Sequence, residues 1–66
     1  MIIYKDILAK LAEAGYNTTR LRRERLISEG TITSIRHNKS ISISTLNDIC
    51  KLTGRSVEDL IEYRED

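Results

Sequence analysis

The aliphatic residues of this chain recur three and four positions apart in short segments, which is the spacing of an amphipathic α-helix. The chain has 66 residues and contains no Phe, Trp or Pro. It must therefore build one small core from aliphatic side chains, because neither half alone would bury enough apolar surface. Its single cysteine closes no intrachain disulfide, and its single histidine completes no zinc site. We predict one all-α domain over residues 1–66 that depends on packing.

Glycines and capping residues divide the chain into five predicted helices. The first covers residues 4–14 and ends at Gly15, which suits a left-handed C-terminal cap. The second has Asn17 or Thr18 as its N-cap and runs to about Arg25. The predicted inward residues of these two helices are Tyr4, Ile7, Leu8, Leu11 and Leu21.

The third predicted helix covers residues 29–36, with Ser28 as its N-cap. The fourth starts after Ser42 and ends at Gly54. Residues 41–44 alternate like a strand, but the longer helical pattern outweighs this brief alternation. The predicted inward residues of these helices are Ile32, Ile35, Ile43, Leu46, Ile49, Cys50 and Thr53.

The last predicted helix opens at Ser56. Its first residues resemble a capping box in which Asp59 takes the place of the usual Glu or Gln. Val57, Leu60 and Ile61 are expected to face inward from this helix. The five predicted helices leave no strand in the expected fold.

The charge is unevenly distributed along the chain. The net charge is only +1, yet residues 1–39 carry eight bases against four acids, and residues 40–66 carry three bases against six acids. No apolar run exceeds three residues, so we expect a cytoplasmic protein with neither a membrane span nor a signal peptide. No catalytic constellation and no phosphate-binding glycine loop is present, so we expect neither an enzyme nor a cofactor.

The second and third predicted helices have the spacing of a helix-turn-helix. One helix ends near Arg25, a brief turn follows, and the polar helix after it is anchored by Ile32 and Ile35. Such a turn leaves the outer face of the second helix free to enter a DNA major groove. Many small helical domains contain similar pairs, so the spacing alone leaves DNA binding and a purely structural role both open.

The residues themselves resemble a known family. The chain is similar to the short Cro/repressor-type (XRE-like) helix-turn-helix regulators of bacteria and their mobile elements. The resemblance is carried by Thr18–Glu24, Leu26–Ile32, Ile35–Lys39, Ile41-Ser42, Thr45-Leu46, Ile49–Leu52 and Asp59–Tyr63. It covers nearly the whole chain. It implies a compact five-helix bundle of the phage-repressor-like type, with its helix-turn-helix in helices two and three, that binds operator DNA and regulates transcription.

The resemblance also implies roles for individual residues. Base readout is expected from Glu29, Gly30 and Ser34, and phosphate contacts are expected from Thr18, Thr31, Arg36, Asn38 and Lys39. Chemistry adds the hydroxyl of Thr33 to the base readers, and Arg20 and Arg23, on one side of helix two, to the phosphate contacts. Two residues depart from the family pattern, because Arg22 and Leu26 stand where a small residue and a turn glycine are preferred.

Several residues have a second interpretation. Glu29 could accept from a cytosine amino group, or it could simply favour the dipole at a helix N-terminus. We expect His37 to be an exposed loop residue and Cys50 to be a small buried apolar residue. The alternative function is a protein-interaction module, adaptor or antitoxin-like, that uses the helix-turn-helix as scaffold.

The expected partner is double-stranded operator DNA. One small module covers few base pairs, so we expect a weak homodimer that forms or strengthens on DNA. The apolar residues left for such pairing are few and lie near the two ends: Met1, Ile2, Ile3 and Tyr63.

Overall fold

The computed structural model describes residues 1–65 and contains, within them, five helices and two short strands. In chain order the elements are β1 (Ile2–Tyr4), α1 (Ile7–Glu13), α2 (Thr18–Arg23), α3 (Glu29–Arg36), α4 (Ile43–Thr53), α5 (Val57–Leu60) and β2 (Ile61–Tyr63). The five predicted helices are therefore confirmed in number and order. Among the described residues, no helix is both long enough and apolar enough to cross a membrane.

Local capping signals set the starts of α2, α3 and α4 and the ends of α1 and α4 as the sequence predicts. Three N-cap side chains accept a hydrogen bond from the backbone N–H three residues on, at Asn17 (2.8 Å), Ser28 (3.2 Å) and Ser42 (3.0 Å). Asn17, rather than Thr18, is thus the N-cap of α2. Left-handed glycines follow α1 and α4, with φ of +96° at Gly15 and +68° at Gly54.

The all-α prediction is wrong at the two ends of the chain, which form a small antiparallel sheet. In this sheet Ile2 lies opposite Tyr63, and Tyr4 lies opposite Ile61. Tyr4 was expected in the first helix and Ile61 in the last. Three-residue strands are too short to show a period of two, and each finds its partner only in the folded chain. The first helix starts later than predicted because Asp6, with φ of +52°, precedes it.

The core is aliphatic and draws on every helix. Its buried members are Ile7, Leu11, Leu21, Ile27, Ile32, Ile35, Leu46, Ile49 and Leu60. The inward predictions for Ile43 and Val57 are wrong: these side chains are 80% and 45% exposed, because each begins its helix on the outer side of the first turn. The predicted capping box is also wrong, since the Ser56 hydroxyl lies 3.3 Å from the Asp59 carboxylate and caps no backbone N–H.

The turn between α2 and α3 is built around Arg25. The second helix ends at Arg23, two residues before the predicted end, and Arg25 adopts a left-handed conformation with φ of +55°. The Leu26 N–H then donates to the Leu21 carbonyl at 3.0 Å. The left-handed position therefore falls on Arg25 rather than on Leu26, where the family pattern places its turn glycine.

Candidate nucleic-acid interface

The third helix presents a polar face to solvent over a buried apolar face. Ile32 and Ile35 anchor it in the core. Opposite them, four exposed residues form what we call the outer face of α3: Glu29, Gly30, Thr33 and Arg36. Thr31 and Ser34 are half-buried on the flanks of this face. Three of the four predicted base readers thus share one exposed surface, and Ser34 lies at its margin.

Cations stand at both ends of α3. Arg25 lies in the turn before the helix, and Arg36 and Lys39 lie at and after its last turn. Within residues 1–65, these three side chains make no hydrogen bond or ion pair and are exposed. Sequence reasoning named Arg20 and Arg23 as phosphate contacts and did not single out Arg25, because only the turn geometry shows that Arg25 remains unpaired. These positive charges suit an extended polyanion that contacts both ends of the helix.

The arginines of α2 are more constrained. Arg20 pairs with Glu24, four residues further along the chain, with Nε 2.7 Å from Oε2. It also donates to the Gly15 carbonyl at 2.9 Å and lies over the Tyr16 ring, 4.5 Å from its centroid. The hydrogen bond with Glu24 raises the pKa of the Arg20 guanidinium. The Arg23 side chain is more exposed, and its Nη2 lies 3.8 Å from the Glu24 carboxylate, which makes a weaker pair. Arg23 is therefore the less constrained of the two predicted phosphate contacts.

The carboxylate of Glu29 is held by Arg22 across the turn. Arg22 Nη2 donates to Glu29 Oε1 at 3.0 Å, and Arg22 Nε contacts the other carboxylate oxygen. Both side chains are largely exposed, so the pair lies on the protein surface at the first turn of α3. Sequence reasoning missed this pair because its members are seven positions apart and belong to different helices.

Asn38 joins the end of α3 to the terminal sheet. Its backbone is left-handed, with φ of +53°. Its Oδ1 accepts from the Tyr4 N–H at 3.1 Å, and its Nδ2 donates to the Ile2 carbonyl at 2.9 Å. Beside it, the Tyr4 hydroxyl donates to the Lys39 carbonyl. The Asn38 amide thus has a structural task as well as its predicted place near phosphate.

The remaining predicted residues lie near α3 or in the core. Thr18 opens α2 and is half-buried, and the Thr31 hydroxyl accepts from the Ser28 hydroxyl at 2.9 Å. His37 is exposed at the end of α3. Cys50 is half-buried against the core rather than fully buried. No group of His, Cys, Asp and Glu among residues 1–65 is placed to hold a metal ion.

An open groove of about 420 Å³ lies between the sheet and α4, away from the outer face of α3. Its apolar lining residues are Ile2, Tyr4, Ile41, Ile43, Leu46 and Ile61. Asn38 and Lys39 form its border with α3.

Comparison of the sequence with known families agrees with the helix-turn-helix of this fold. The sequence model of the Cro/C1-type HTH DNA-binding domain matches residues 6–66, which includes all five helices. No curated protein and no solved structure was found to match the chain. The resemblance drawn from the residues is confirmed at the level of the family. The chain belongs to the family of Cro/C1-type HTH DNA-binding domains.

Proposed function

We propose that the chain is a sequence-specific transcriptional regulator that places α3 in the major groove of its operator. The observation that carries this proposal is the exposed outer face of α3 with unpaired cations at both ends. A helix of this size fits the major groove, and the phosphate rows on either side of the groove are the natural partners of those cations.

Base readout comes from the short polar side chains of α3. The Glu29 carboxylate accepts from a cytosine amino group while Arg22 holds it in place, and the Thr33 and Ser34 hydroxyls bond to base edges. Gly30 has no side chain, so the backbone of the first turn can approach the bases closely.

Phosphate contacts come from residues at the ends of α3 and in the neighbouring α2. Arg36 and Lys39 bind one phosphate row, and Arg23 and Arg25 bind the other, where Arg25 is an addition made from the turn geometry. Thr18, Thr31, Arg20 and Asn38 complete the proposed set with weaker contacts. The side chains of Thr31, Arg20 and Asn38 already take part in internal bonds, and Thr18 is half-buried. Two copies bind together, with half-sites about one helical turn, roughly 34 Å, apart.

The salt dependence of DNA affinity tests the electrostatic part of this proposal. A binding site is first selected from random duplexes, and affinity is then measured over a range of salt concentrations. R36A and K39A should each weaken binding to every sequence and make the slope of log K against log salt shallower by about one per lost contact. R55A is the matched control, because it removes one positive charge from a residue that pairs with Glu13. Unchanged slope and affinity in both variants would instead favour the protein-interaction module.

The choice of operator tests the readout part. E29Q and S34A should shift the selected consensus more than they change overall affinity, since these positions face bases. The shift should be smaller for S34A because Ser34 is half-buried. If both folded variants select the wild-type consensus, these residues are not base readers.

A further inference from the structure

The ion pair of Arg22 and Glu29 leaves a defined set of hydrogen-bonding groups free. The Glu29 carboxylate is bound by the Nε and Nη2 edge of the guanidinium, with Nη2 3.0 Å from Oε1. A guanidinium carries five N–H donors in one plane, and this edge uses two of them. Nη1 keeps both of its hydrogens and Nη2 keeps one, and within residues 1–65 these three hydrogens have no partner. Each carboxylate oxygen also keeps a lone pair.

The space beside this ion pair is open. Its two side chains line a depression of about 370 Å³ together with residues of the turn, namely Arg25, Ile27 and Ser28. The next residue of α3 is Gly30, where a β-carbon would meet no atom within 4 Å. The first turn of α3 therefore has room for a flat ligand edge against the free groups of the ion pair.

The free groups match the edge that a G·C base pair presents in the major groove. Guanine presents two acceptors there, N7 and O6, and cytosine presents the amino donor N4. Arginine binds guanine most often with two donors, one to O6 and one to N7. In Arg22 the end formed by Nη1 and Nη2 is free for this contact, because Glu29 occupies the other edge. The Glu29 carboxylate can accept from the cytosine amino group.

The spacing within the ion pair places both contacts on a single base pair. Guanine O6 and cytosine N4 are hydrogen-bonded to each other at about 2.9 Å. In the protein, Nη2 of Arg22 and Oε1 of Glu29 are hydrogen-bonded to each other at 3.0 Å. A donor and an acceptor at this separation can face an acceptor and a donor at the same separation, so that the four atoms close a ring of hydrogen bonds. The ion pair holds its two members at that spacing before DNA binds.

The other base pairs satisfy fewer of these groups. In a T·A pair, thymine O4 and adenine N6 also offer an acceptor and a donor, but thymine carries a methyl group where guanine carries N7. Nη1 of Arg22 then loses its acceptor. In a reversed C·G pair, Arg22 faces the amino donor and the Glu29 carboxylate faces the acceptors of guanine. Only one orientation of G·C satisfies all the free groups.

We propose that Arg22 is itself a base reader, and that Arg22 and Glu29 together read one G·C pair of the operator, with Arg22 on guanine O6 and N7 and Glu29 on cytosine N4. We call the two residues the joint reader. This rests on the proposed function and deepens it, because it names the base pair that the first turn of α3 selects. Arg22 stands where the family pattern prefers a small residue, so that pattern does not supply this contact.

Base analogues test the guanine contact without any change in the protein. Each guanine of the selected duplex is replaced in turn by 7-deazaguanine, which has a C–H group in place of N7. At the guanine that Arg22 reads, affinity should fall about tenfold, because a hydrogen bond from a charged donor is lost. Inosine at the same position is the control, since it lacks only the minor-groove amino group, and it should change affinity by less than about twofold. If no guanine responds to the loss of N7, the proposal is wrong.

Variants of α2 show which residue makes the contact. R22K keeps the positive charge but lacks the planar fork, so 7-deazaguanine should weaken its binding by less than about twofold at that guanine. R22K keeps its fold because Arg22 is largely exposed. R23A is the matched control, because it removes a cation that we assign to phosphate. It should bind every duplex more weakly and keep the full response to 7-deazaguanine. A response that persists in R22K overturns the proposal, since another residue then reads that guanine.

The cytosine side tests whether the two residues act on one base pair. Selection with E29Q should change the consensus at the same base pair whose guanine responds to R22K. A change at a different base pair would show that Arg22 and Glu29 read separately, and it would overturn the joint reader.

These outcomes distinguish the joint reader from the proposed function. A chain that selects and binds a duplex but shows no guanine that depends on Arg22 overturns the joint reader and leaves the DNA-binding function intact. A chain that selects no duplex overturns both.

Discussion

Arg22 in α2 and Glu29 at the first position of α3 form a bidentate ion pair across the turn of the helix-turn-helix. The side chains are 41% and 61% exposed, so the pair contributes little to folding stability, about 0.2–1 kcal/mol. Its main effect is electrostatic. It compensates the one acid on the outer face of α3, which would otherwise repel phosphate.

R22A should therefore affect DNA binding more than stability. The substitution leaves the Glu29 charge uncompensated, and we expect affinity for the selected duplex to fall about tenfold, or about 1.4 kcal/mol. Thermal denaturation should change little. The measurements are fluorescence anisotropy at low salt and a melting curve for the same sample.

The double variant R22A/E29Q is the matched control because it has the net charge of the wild type. It should recover part of the lost affinity, although its preferred base can differ. Equal affinity of R22A and wild type at low salt would show that the pair has no electrostatic role in binding.

G30A should stabilise the fold and weaken DNA binding. A β-carbon at this position meets no atom within 4 Å, and Gly30 lies in helical backbone, so alanine should add about 0.4–1 kcal/mol. The added methyl group stands on the outer face of α3, where we propose that the backbone approaches the bases. Urea denaturation should show a higher free energy of unfolding for G30A than for the wild type. Duplex titration should show a weaker affinity. A variant that gains stability and keeps full affinity would place Gly30 away from the DNA.

The sequence was most informative where the signal was local. Ser28 and Ser42 cap their helices, and Gly15 ends α1, because each signal depends on residues a few positions apart. The sheet could not be predicted because its register depends on the other end of the chain. The Arg22 and Glu29 pair was missed for a related reason, since it depends on the angle between two helices.

Substitution of Asn38 should separate the effect of its amide from that of its backbone. N38G removes both side-chain bonds to β1 but tolerates the left-handed φ, and we expect it to cost about 1–2 kcal/mol. N38A adds the strain of a β-carbon in that conformation and should cost about 1 kcal/mol more. Denaturant unfolding gives both values. A fully stable N38G would show that the amide contributes nothing to closing the edge of β1.

Deprotonation of the Tyr4 hydroxyl at alkaline pH should reduce the stability of the folded state. Burial is the larger influence and raises the pKa of its hydroxyl, against a lowering by a hydrogen bond with the Ile41 backbone. The folded state therefore favours the protonated hydroxyl. The contribution of the Tyr4 hydroxyl to folding stability is complete below a pH of about 10 and is lost as the pH rises through the pKa of the folded state.

Y4F provides the comparison for this pH dependence. It should be about 0.5–1 kcal/mol less stable near neutral pH, because it lacks the hydroxyl that donates to the Lys39 carbonyl. The stability difference between wild type and Y4F should shrink as the pH rises above about 10, which unfolding curves at several pH values would measure. A difference that stays constant across this range would show that the hydroxyl does not titrate differently in the folded chain.

The terminal sheet also bears on how the native state is gained and lost in time. It pairs Ile2 with Tyr63, residues 61 positions apart, whereas most helix contacts are local. Closing a loop of that length costs conformational entropy before the two strands gain any contact. The ladder should therefore form after the transition state for folding. Substitutions in β1 and β2 should then accelerate unfolding while leaving the folding rate nearly unchanged. The sheet would determine the lifetime of the folded domain rather than the speed at which it assembles.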